Sequence, residues 1–149
     1  MYIPGHLSVG YLLVSAHGRM RGRPPQPGLE IAPVLLGTLT PDIIDKSLFF
    51  LDITGHGRTL GHSFLTLGGL ILLYLVTGPL SGWMKKARRA MGFWILGIAS
   101  HLGIDFLDDG LRGILHGRQV VTTWFLWPVW EAGDWRWEAP WELVAGTRT

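Results

Sequence analysis

The sequence contains no cysteine. That excludes a disulfide framework, a thiolate zinc finger, an iron–sulfur cluster and a cysteine nucleophile. Charge is also scarce, with Asp, Glu, Lys and Arg at 16% of 149 residues, against about a quarter in soluble domains. The 13 basic and 11 acidic residues leave a net charge of only +2. A chain whose main partner was nucleic acid would show a larger basic excess. What is plentiful is apolar: 48% of the chain is hydrophobic, with 8 Trp and 21 Gly. This excludes disorder and points to a membrane protein built as one domain, residues 1–149.

Residues 63–80 carry no charge and approach the roughly 20 residues that cross a hydrocarbon core as a helix. They are the clearest expected span, and residues 90–104, free of acid and base apart from His101, are the second. Two shorter apolar stretches, 7–16 and 31–41, fit a buried helix or a re-entrant segment as well as a span by length alone. The basic residues favour spans. Arg19, Arg21 and Arg23 follow the first stretch, and Lys85, Lys86, Arg88 and Arg89 follow residues 63–80. If both loops are cytoplasmic, two helices must separate them, giving an all-α bundle of about four helices with the N-terminus outside. The alternative is a soluble helical protein with two solvated basic turns.

Arginines stand where a cleavage site would follow a signal sequence, so the first helix is expected to be retained. Residues 18–28, rich in Pro, Gly and Arg, read as a loop. Six of the Trp lie beyond residue 120, interleaved with Glu and Asp. That tail is expected to lie along the membrane interface, with a fifth short span over 120–130 as the alternative.

The polar exceptions gather at one end of this topology. His6 opens the first helix, Asp42 and Asp45 follow the second, His56 and His62 precede the third, and His101 and Asp105 close the fourth. Bundles build metal centres from facing helices in this way. His101 and Asp105 are one helical turn apart, on one face, and could chelate an ion or simply cap a helix end. Asp42, after Pro41, suits a helix start. Asp45 would share its side as a ligand, an outer partner or a proton acceptor. Of the two strap histidines, His62 is the better fixed. Arg58 between them suits a phosphate oxygen or a lipid headgroup.

These residues form an ordered pattern: Gly5-His6-Leu7, Pro41-Asp42-Ile43-Ile44-Asp45, Gly57-Arg58-Thr59-Leu60-Gly61-His62-Ser63, Ser100-His101-Leu102-Gly103-Ile104-Asp105 and Leu126-Trp127-Pro128. From roughly His6 to Pro128 the chain resembles the YdjM-like family of membrane-bound metal-dependent hydrolases, and more distantly zinc-dependent phospholipases C. Family members often read His-Arg-x-x-Thr-His-Ser and Pro-Asp-x-Asp. Here His56 stands one place further from His62, Gly61 replaces Thr, and Asp45 comes one residue later. The resemblance implies metal ligation by His6, Asp42, His62, His101 and Asp105, with His56 as a further candidate.

The expected activity is hydrolysis of an ester or phosphoester of a membrane lipid or lipid-linked substrate. Zn2+, or alternatively Mn2+ or Fe2+, would activate water at the non-cytoplasmic face of a bacterial or archaeal cell membrane. Asp45 or Asp109 would accept a proton, and Arg58 would neutralise an anionic group. The competing readings are an ion-conducting protein and a membrane scaffold with a structural metal.

Overall fold

The computed structural model describes residues 3–54, 57–77, 82–116 and 128. Four helices follow one another: α1 Ile3–Met20, α2 Ala32–Phe50, α3 Phe64–Val76 and α4 Gly82–His116. A single π-type turn, Pro27–Ile31, leads into α2. There is no strand among the described residues. Ser63 starts α3 by accepting a hydrogen bond from the Leu65 amide at 3.1 Å, a standard use of a serine at a helix N-terminus.

The centre of the bundle is the contact between α2 and α4, which two glycines make unusually close. A Cβ on Gly37 would fall 2.1 Å from the Trp94 carbonyl oxygen, and one on Gly97 2.2 Å from that of Val34. Only bare backbone fits, so the two helices nearly touch. Trp94 Nε1 spans the same seam, donating to Thr40 Oγ1 at 2.9 Å. Leu67, Ile95, Ile98 and Leu102 pack α3 on α4, while Val14, Val34 and Phe93 form a second apolar cluster towards α1.

Polarity is partly inverted relative to a soluble bundle. His6, Glu30, Thr38, Asp45, His62, His101 and Asp105 are buried, whereas Leu12, Leu36, Leu72, Leu75 and Leu107 are all at least 60% exposed. Leucines on the outside and carboxylates within suit a bilayer better than water.

Several sequence expectations change here. Residues 63–80 do not yield the long helix expected of them: α3 covers 13 residues, about 20 Å, short of a hydrocarbon core of roughly 30 Å. The one helix among the described residues long and apolar enough to span runs over Met84–Leu111 within α4. It extends beyond the 90–104 segment because the helix passes through Asp105 to His116. Asp42 and Asp45 do not follow the second helix but lie inside it, since α2 continues through Pro41. Proline lacks the amide that would bond back to Gly37, and the helix tolerates this one missing bond. The basic segment after residue 18 is shorter than expected, because α1 runs to Met20 and the π-type turn starts at Pro27. The Trp-rich tail lies outside the described residues.

Candidate metal centre

The strap between α2 and α3 is organised around one carboxylate. Asp45 is fully buried, and its Oδ1 accepts from Gly61 N at 2.7 Å and Thr59 Oγ1 at 3.0 Å. Its Oδ2 accepts from Thr59 N at 2.8 Å, His62 N at 3.2 Å and His62 Nδ1 at 2.6 Å. Five donors fill about four lone-pair sites. Asp45 is therefore spent on holding the strap and the His62 ring, and the proton-acceptor role expected for it has no lone pair left. Gly61 lets the strap lie against α2, since a Cβ there would meet the Pro41 carbonyl oxygen at 2.4 Å.

A carboxylate can only accept, so His62 carries a proton on Nδ1 and turns Nε2 inward. His101 is fixed in the same sense from the other side: its Nδ1 donates to the backbone carbonyl of Thr38 at 2.7 Å. That bond depends on the close approach of α2 and α4. The two Nε2 atoms then face one another at 3.2 Å, and in the neutral rings each bears a lone pair. Asp105 Oδ2 adds a third acceptor, 3.4 Å from His62 Nε2 and 3.6 Å from His101 Nε2.

Converging acceptors repel unless a positive charge sits among them. A proton on His62 answers for one pair, and a metal ion answers for all. His6 completes the cluster. Its ring stacks on His101 with centroids 3.9 Å apart, and its Nε2 lies 3.4 Å from Asp105 Oδ1. That oxygen is buried without a hydrogen-bond partner, a state costing a few kcal/mol unless something coordinates it. The donor atoms of His6, His101 and Asp105 lie within 4.8 Å of one another, as do those of Asp42, His62 and His101. The residues thus fit a metal: imidazole and carboxylate donors with outer partners that fix the imidazole tautomers.

The cluster opens on one side. Asp42 is 23% exposed, with Oδ2 3.3 Å from Lys46 Nζ and Oδ1 4.0 Å from His62 Nε2. Arg58, 36% exposed, forms an ion pair with Asp109 at 2.6 Å and lies 3.5 Å from Asp105 Oδ2. Arg58 and Asp109 therefore stand together at the edge of the centre. His56 lies outside the described residues.

A second polar centre at the other end escaped the sequence reading. Glu30 is fully buried and accepts from Arg23 Nη2 at 2.6 Å, from the Gln26 amide at 2.9 Å and from Arg89. Burial alone would raise its carboxyl pKa, but Arg23, the Gln26 N–H and Arg89 outweigh it and lower it to about 2. One signal was available: Glu30 is the only acidic residue before Asp42, beside three arginines.

Comparison with known families gives one match, the model for YdjM inner membrane proteins, which covers residues 1–146. The chain belongs to that family, and to a cell membrane with it. No curated protein and no solved structure matches, so the similarity to phospholipases C has no support among known structures.

Proposed function

We propose that this YdjM-family protein is a membrane-embedded, metal-dependent hydrolase acting on a phosphoester or other ester of a lipid or lipid-linked substrate. The observation that carries the reading is the meeting of two inward-facing imidazole Nε2 atoms with a buried, unpartnered carboxylate oxygen. His62, His101, His6, Asp105 and Asp42 are the residues that would hold the ion. Zinc, manganese or iron, when bound, would polarise the scissile group and bring the pKa of water towards neutrality. Asp45 and the Thr38 carbonyl orient the two imidazoles. With Asp45 saturated, Asp109 is the carboxylate left to accept a proton. Arg58, held between Asp109 and Asp105, presents a partly exposed guanidinium suited to an anionic phosphoryl group. The half-open side at Asp42 and Arg58 supports an exchangeable site over a closed structural one. The centre lies away from the basic segments, which supports a non-cytoplasmic site if those segments face the cytoplasm.

The test is elemental analysis of detergent-purified wild type beside His101→Ala and Asp105→Ala, matched for helicity. Near-stoichiometric metal in the wild type and its loss in both variants is the expected result. The loaded protein is then expected to release product from a panel of phospholipids and lipid-linked phosphates. No metal after reconstitution with each ion would overturn the centre. A loaded protein inert towards the whole panel would count against the hydrolase.

A further inference from the structure

At the far end of the molecule from the metal centre, the basic side chains border a large cleft. It has a volume of about 1030 Å³ and includes Arg21, Lys85, Lys86, Arg88 and Arg89 among its lining residues. That exceeds the roughly 300–1,000 Å³ of ordinary small-molecule pockets. Glu30 engages Arg23 and Arg89, but Arg21, Lys85, Lys86 and Arg88 make no ion pair among the described residues. Arg88 is the most informative of these. Its guanidinium stacks over the Tyr74 ring at 4.3 Å and donates to the Tyr74 carbonyl at 3.2 Å, yet its Nε is buried without a hydrogen-bond partner. Apart from His17 and Gln26 the remaining lining is mostly apolar, including Leu29, Ile71 and Leu96, and the last two are exposed. A surface cationic at one edge and greasy along its length is complementary to an anion carrying hydrocarbon.

We propose that this cleft binds an anionic phospholipid, its phosphate among Lys85, Lys86 and Arg88 and an acyl chain along Ile71 and Leu96. Basic pockets between membrane helices take acidic headgroups for the same electrostatic reason. A soluble anion would have no use for the apolar half of the cleft. The lipid site is separate from the metal centre and does not depend on it.

The experiment is native mass spectrometry of the full-length, detergent-purified protein titrated with phosphatidylglycerol, phosphatidylcholine or inorganic phosphate. Phosphatidylglycerol is expected to bind roughly tenfold more tightly than phosphatidylcholine and to resist displacement by phosphate. Lys85→Gln combined with Lys86→Gln, both at exposed positions, should weaken retention roughly fivefold per charge removed. Leu96→Trp, which fills the apolar part and leaves the charges, should weaken it too. Equal binding of the two lipids, or unchanged retention in the double variant, would overturn the proposal and leave the cleft for another part of the chain to cover. Displacement by phosphate alone, or full retention in Leu96→Trp, would show a soluble-anion site and equally overturn the lipid reading. Metal content should be unchanged in both variants, so failure here is distinguishable from failure of the hydrolase.

Discussion

Which imidazole nitrogen faces inward is decided by residues that would never touch a metal. Asp45 ties down His62 Nδ1, and the Thr38 carbonyl ties down His101 Nδ1. Asp45→Asn tests the first of these. An amide keeps one acceptor oxygen and replaces the other with a donor, which would confront the amides of Thr59 and His62. Metal retention against a chelator is expected to fall about 10- to 100-fold, while His101, held by Thr38, keeps its place. Retention equal to the wild type would show that His62 needs no carboxylate to present Nε2. The sequence made His6, Asp42, His62, His101 and Asp105 legible because topology alone brings those helix ends together. It could not reveal the Thr38 carbonyl, which is backbone and carries no signature in residue type. It also left the role of Asp45 open, because the five donors on it come mostly from main-chain amides of a strap whose path no spacing encodes.

Between elements, the informative joint is Glu30. One buried carboxylate gathers Arg23 from the segment after α1, Arg89 from α4 and the amide ahead of the π-type turn. Its pKa is lowered from 4.5 to about 2 in the folded protein. A depressed carboxylate contributes its full stabilisation above the unfolded value and loses it as pH falls from there through the folded value. Glu30→Gln is therefore expected to be less stable than the wild type at pH 7 by about 1–3 kcal/mol. The difference in thermal midpoint should shrink between pH 4.5 and 2. Circular dichroism of the two proteins in one detergent measures that difference directly, and a gap that stays constant down to pH 2 would contradict the clamp. The helices themselves were mostly readable, but their lengths were not. Pro41 looked like a boundary and sits inside α2, since tertiary burial against α4 outweighs one absent hydrogen bond. The uncharged run over 63–80 looked like the best span, whereas the helix that is long enough contains His101 and Asp105. Counting charges undervalues polar groups that neighbouring helices enclose.

Across the whole molecule, the two polar centres lie at opposite ends, and their placement follows from chain direction. The start of α1, the strap before α3 and the later halves of α2 and α4 meet at the His and Asp cluster. The Glu30 joint gathers the segment after α1, the turn before α2 and the start of α4. Only the membrane orientation converts this polarity into a compartment, and the absence of cysteine makes it measurable. Any introduced thiol is the only one in the chain. Ile53, 65% exposed just past the end of α2, marks the metal-centre end, and Lys86 marks the basic end. In intact cells, Ile53→Cys should react with a membrane-impermeant maleimide, and Lys86→Cys should react only after permeabilisation, as expected if the basic residues follow the positive-inside rule. The reverse pattern would leave every distance in the centre unchanged and put the His and Asp cluster on the cytoplasmic side. Labelling of both thiols in intact cells would mean that the two ends share one side of the membrane, and α4 could not then cross it.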